Sequence, residues 1–169
     1  MAYIFAFRRH IFALIRTLRR VFGRMDLQTL RGGVAVISGA AYGGIGFGIA
    51  QHCLSLGINV AVMDIQKAAM KESVAQLRQH ASDPSLQAEG FVCDVTKPES
   101  LETCRQQIQA AFAGKHIAAL FANAGVATEG FGRVLTHPIK DWRLTFEVNV
   151  IGGGSMSTVP SSHLRYLQW

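Results

Sequence analysis

The sequence predicts a doubly wound α/β fold, a parallel sheet of about four strands with helices on both faces. Three observations carry this. Short apolar, β-branched runs alternate with amphipathic stretches at helical spacing, the pattern of repeated β–α units. A glycine cluster joins the first run to the first helix. Single polar residues close the apolar runs, at the end where an open parallel sheet places its ligands.

The elements follow in order. "VAVIS" (34–38) is a continuous apolar run, as expected of a strand buried on both faces. Residues 45–56 read as a helix closed by Gly57. "INVAVMD" (58–64) is the second strand, and 66–81 is an amphipathic helix stopped by the turn signal "SDPS". Residues 86–95 contain the third strand. The helix over 97–114 has Pro98 in its first turn and Glu99 and Glu102 near its positive end. "IAALFANAG" (117–125) is a fourth strand ending in a turn, and 137–152 reads as a helix with Pro138 early in it. Right-handed crossovers and double winding give the strand order 3-2-1-4.

The strand ends hold the chemistry. A pyrophosphate needs backbone N–H groups close by, and glycines at a helix N-terminus allow that approach. Gly39 suits the turn, and Gly44 and Gly46 bring the backbone close. The other reading is a glycine-rich turn that only lets strand and helix pack. Asp64 ends strand 2 about 20 residues after the loop, where a carboxylate accepts from adenosine ribose hydroxyls and repels a 2′-phosphate. That favours NAD over NADP; a solvated turn aspartate is the bland alternative. Asp94 is either an acceptor for the adenine amino group or a cap or turn residue. Asn123 closes strand 4.

The series "SGAAYGGIG", "VMD", "CDV", "NAG" and "VNV" resembles the short-chain dehydrogenase/reductase family, in order, over residues 32 to about 152. The resemblance implies a Rossmann-like fold and NAD(P)-dependent oxidoreductase ancestry. It assigns Gly39, Gly44, Ile45 and Gly46 to the cofactor phosphates and ribose, Asp64 to the adenosine ribose, and Asp94 with Val95 to adenine. It sets Asn123, Ala124 and Gly125 beside the cofactor. It casts Asn149 as the asparagine that holds a water in the family's proton relay, the one catalytic position matched.

The sequence departs from the family in three places. Ser38 replaces a threonine, and one extra residue near Tyr42 or Gly43 lengthens the glycine loop, a bulge that leaves Gly44-Ile45-Gly46 on the family's final GxG. "ANAG" replaces the commoner "NNAG" at Ala122. After Gly152 the text "GGSMSTVPSSHLRYLQW" no longer follows the family, and its catalytic serine and Tyr-x-x-x-Lys are not matched. Tyr166 is a superficial echo whose lysine would fall one place beyond Trp169. The expectation is a partial Rossmann domain over 25–152 followed by a divergent tail, 153–169. It binds cofactor and is inactive as this chain, with the substrate undetermined. The alternative is a non-catalytic nucleotide-binding or interaction module. With the family's remaining strands unmatched, strand 4 is expected to be an apolar edge and the last helix to lack cover. The chain alone is therefore expected to be marginal or to survive with a partner, and the resemblance, which commonly sets this helix in a subunit interface, implies a homo-oligomer for the full-length form.

Composition bounds the partners. Hydrophobic residues make up 49% and charged residues 17%, enough for a packed core in a 169-residue chain. Six of the 17 basic residues are arginines within 1–24, and the other eleven balance the 11 acids. The body therefore carries no basic stripe, and nucleic acid is excluded as a favoured partner. Three cysteines without CxxC spacing argue for reduced thiols and an intracellular setting, and the scattered histidines form no zinc motif. The basic, amphipathic leader 1–24 has three readings: a mitochondrial targeting segment, a membrane-surface helix, or an upstream extension of a chain whose natural start is Met25. The setting is accordingly cytoplasmic or mitochondrial.

Overall fold

The computed structural model describes residues 27–81, 83–127 and 138–158. The leader 1–24 and the tail beyond Thr158, including Tyr166, lie outside the described residues. A 3-10 turn (Leu27–Leu30) leads into β1 (Val34–Ser38), α1 (Ile45–Ser55), β2 (Asn59–Asp64), α2 (Lys67–His80), β3 (Ala88–Val92), α3 (Pro98–Ala111) and β4 (Ile117–Phe121). The four strands form one parallel sheet in the expected order β3-β2-β1-β4.

β1 is buried at all five positions because it is central and covered on both sides. Successive side chains alternate between faces. Ala35 and Ile37 meet Phe47, Ala50 and Leu54 of α1 and Met70 and Leu77 of α2. Val34 and Val36 point the other way, into a core with Leu101, Cys104 and Ile108 of α3. This two-sided burial is why the strand reads as unbroken apolar sequence. At the amino ends of the strands, buried Asn59 donates to the carbonyls of Gly32 (2.9 Å) and Gly33 (3.0 Å) and accepts from the Gln87 N–H (2.9 Å). One amide thereby ties β1, β2 and the lead-in to β3 together.

β4 lies at the sheet edge, with its residues half-buried or exposed. The last helical stretch is longer and less regular than its expected span of 137–152. It comprises α4 (Ile139–Phe146), a π-helical segment (Glu147–Gly152) and α5 (Gly153–Thr158). Pro138 precedes the helix as its N-cap residue. The helix runs past Gly152 because packing holds it there: Met156 is buried in the same core as α3. Gly152 itself is pressed against Val95, and an added Cβ would sit 2.8 Å from Val95 Cγ2. None of α4's own residues is buried, and Ile139, Leu144 and Phe146 are exposed, as are Val150 and Ile151 beyond it.

Candidate functional site

The glycine loop begins where β1 ends. Gly39 has φ +64°, a left-handed conformation that favours glycine, and a Cβ there would lie 2.7 Å from Ala124 Cα. The extra residue is absorbed in a turn over 41–44: the Gly44 N–H donates to the Ala41 carbonyl (3.1 Å), and Gly43 takes φ +80°. Tyr42 projects from this turn, its ring edge-on to Phe47 with centroids 5.0 Å apart.

Of the four remaining glycines of the loop and first helical turn, Gly48 has nothing near an added Cβ, and the other three do different jobs. Gly46 is a packing glycine, since an added Cβ would meet the Gly39 carbonyl oxygen at 2.6 Å and Asn123 Nδ2 at 2.8 Å. Gly43 and Gly44 face open ground, and an added Cβ would meet nothing at the first and only the Ala41 oxygen (3.2 Å) at the second. Gly44 also has an ordinary extended backbone, φ −83°. Backbone conformation does not ask for glycine at Gly44, and the only close neighbour of an added Cβ would be the Ala41 carbonyl oxygen. The N-terminus of α1 carries no side-chain cap and no acid in its first turn. Its leading N–H groups and the positive end of its dipole are therefore not taken up by a side chain of the first turn. Ile45, 79% exposed, stands at its rim.

Ser38 holds this loop to β4. Its buried hydroxyl accepts from the Asn123 N–H (3.1 Å) and the Ala124 N–H (3.0 Å) and donates to the Phe121 carbonyl (3.4 Å). Asn123 returns the contact, its Nδ2 donating to the carbonyls of Ser38 and Gly39, both at 3.0 Å. From the other side Ser73 of α2 donates to the Ala40 carbonyl (2.9 Å). Asp64, at the end of β2, is bonded to the loop itself: its Oδ2 accepts from the Ala41 N–H (3.2 Å) and its Oδ1 from the Gln66 N–H (3.0 Å). Each oxygen keeps a further lone pair for a ligand hydroxyl.

Gly39, Gly46, Asp64, Asn123 and Ala124 are thus brought into one bonded unit. Asp94 is not part of it. Its Oδ1 accepts from the Thr96 hydroxyl (2.6 Å) and N–H (3.0 Å), and Lys97 Nζ lies 3.6 Å from Oδ2. The Thr96 hydroxyl first, then the Thr96 N–H and Lys97, hold its carboxyl below the usual range against partial burial. Here Asp94 does the work of a turn residue. Val95 turns its side chain into the core against Gly152. Asn149 sits on the π-helical segment, where its Oδ1 accepts from the Val126 N–H (2.8 Å) and its Nδ2 donates to the Val126 carbonyl (3.0 Å). Gly125 lies beside that pair. Asn149 therefore fixes the chain leaving β4.

In the sequence Ser38 stands out only as a replacement, and Asn59 and Ser73 belong to none of the family motifs. Ser38 carries a signal, a hydroxyl closing an otherwise apolar run, whereas a serine on an amphipathic helix carries none.

A family model described as short chain dehydrogenase matches residues 33–164. A protein named "Uncharacterized oxidoreductase YxbG", from Bacillus subtilis, is 38% identical over 117 residues, covering 69% of this chain and 38% of that protein. Among solved structures, an NAD+-bound xylitol dehydrogenase superposes with a TM-score of 0.67 at 28% identity, over 76% of this chain and 46% of the other. An NADPH-dependent 3-quinuclidinone reductase from Rhodotorula rubra gives 0.63 at 26%, with the same coverage. The chain thus spans less than half the length of these relatives.

Proposed function

The chain belongs to the short-chain dehydrogenase/reductase family, and on that premise we propose that its 169 residues form a nicotinamide cofactor site that prefers NAD to NADP. The observation that carries this reading is the bond between Asp64 and the glycine loop through the Ala41 N–H. It couples the ribose-binding carboxylate to the phosphate cradle as one unit. A 2′-phosphate would meet a fixed negative charge there, while ribose hydroxyls would meet free acceptor lone pairs.

In this reading Gly39, Gly44, Ile45 and Gly46 receive the phosphates and ribose, with the open ground at Gly44 admitting the backbone approach. Asn123, Ala124 and Gly125 line the carboxyl end of β4. Asp94 and Val95 border adenine, Val95 through its backbone because its side chain is in the core. The bound cofactor supplies hydride chemistry; this chain's residues bind it and orient it. Asn149 holds the post-β4 segment through Val126, a positioning role. No Tyr-x-x-x-Lys occurs among the 169 residues, so these residues alone bind cofactor without turning over an alcohol or ketone.

Asp64→Asn tests the reading. Loss of a charged acceptor costs about 1.5–3 kcal/mol, or roughly ten- to a hundredfold in affinity. NADH binding, followed by nicotinamide fluorescence, is expected to weaken by that factor while NADPH binding does not. Equal NADH affinity in wild type and variant overturns the assignment of Asp64.

A further inference from the structure

Outside the cofactor site the described residues hold one cluster of nucleophilic side chains with no assigned task. Cys93 follows β3, where its N–H still pairs with the Asp64 carbonyl (3.0 Å). Cys104 lies on α3. Both are free and nearly covered, at 3% and 1% exposure, within one core. Cys104 stands one helical turn after Ser100 on α3, in the core it shares with Cys93. Ser100 Oγ donates to Cys93 Sγ (3.8 Å) while accepting from the Asp94 N–H (3.0 Å). Ser100 thus ties the Cys93 sulfur to the face of α3 that carries Cys104. Cys53 belongs to the core on the opposite face of the sheet, away from this pair.

We propose that Cys93 and Cys104 are a dithiol modification site that closes to a disulfide under hydrogen peroxide and clamps the Asp94 turn to α3. The Cys93 thiolate attacks one peroxide oxygen, the O–O bond breaks, hydroxide leaves, and Cys93 becomes a sulfenic acid. Cys104 sulfur then attacks Cys93 sulfur, and the sulfenic oxygen leaves as water with the Cys104 proton. In sum, two thiols lose two electrons and two protons, and one peroxide becomes two waters. The neighbouring Cys104 thiol lowers the Cys93 thiol pKa despite burial, and Cys93 with burial raises that of Cys104. This assigns attack to Cys93 and resolution to Cys104. The inference does not depend on the cofactor reading.

The test treats the whole chain with hydrogen peroxide, then denatures it and alkylates the remaining thiols. The expected result is loss of two hydrogen masses and one alkylated cysteine, Cys53, both reversed by dithiothreitol. Cleavage at Glu99 and Glu102, which lie between the two cysteines, should leave peptides joined Cys93 to Cys104. Cys53→Ser should lose the same two hydrogens. Three alkylatable thiols after treatment, a crosslink to Cys53, or equally fast Cys93–Cys104 pairing in denaturant would each overturn the proposal.

Discussion

Ser38 accounts for more of the site than any residue of the glycine loop. Its hydroxyl is the acceptor for two successive N–H groups of the β4 exit, of which the Asn123 N–H also reaches the Phe121 carbonyl (2.9 Å). Ser38→Ala should therefore lower stability by about 1–3 kcal/mol in chemical denaturation, the usual cost of unpaired buried donors. Threonine, which keeps the hydroxyl, should lose much less. Asp94 supports a second prediction. Its folded-state pKa is depressed, so its stabilising contribution is present above the unfolded value of about 3.9 and is lost as pH falls through the lower folded value. Asp94→Asn should remove that fall, flattening the stability profile below about pH 4 in acid titrations followed by circular dichroism. That Asp64 closes β2 was legible in sequence because position at a strand end is a one-dimensional signal. That Asp94 spends its carboxylate on Thr96 and Lys97 was not, because cap and ligand readings share the same local text.

At the scale of elements, strands and helices were legible wherever apolar periodicity was unbroken, and β1 to β4 fall where the pattern puts them. The last helix shows the limit. Its run from Ile139 to Thr158 contains Gly152, Gly153 and Gly154, poor helix formers that read as an end. Contacts far away in sequence, with Val95 for Gly152 and the α3-side core for Met156, keep it helical, and the π-helical turn accommodates them. α1 allows the two glycine functions to be separated. Gly46→Ala would drive a methyl against the Gly39 carbonyl and Ala40 Cα, and should cost about 1–3 kcal/mol of stability as well as NADH affinity. Gly44→Ala, whose methyl would meet only the Ala41 carbonyl oxygen, should lower the thermal midpoint less than Gly46→Ala while still weakening NADH binding. Calorimetry and titration of both variants check this.

For the whole molecule, the sheet order fixes where the site must be. β1 and β4 diverge in their crossovers, and the loop, Asp64 and Asn123 gather at that switch point. The opposite consideration is the surface left by α4 and the π-helical segment, where Leu144, Phe146, Val150 and Ile151 are each at least half exposed beside an edge strand. These four apolar side chains are exposed in this chain. Among the described residues no helix is long and apolar enough to cross a membrane. The central claim is that the strand ends form an NAD-preferring site. Its most direct measurement is titration of the purified chain with NADH and with NADPH under identical conditions. Saturable binding of one NADH per chain, at least tenfold tighter than NADPH on the order set by one charged contact, is the predicted result. No saturable NADH binding by the folded chain, or tighter binding of NADPH, would contradict it.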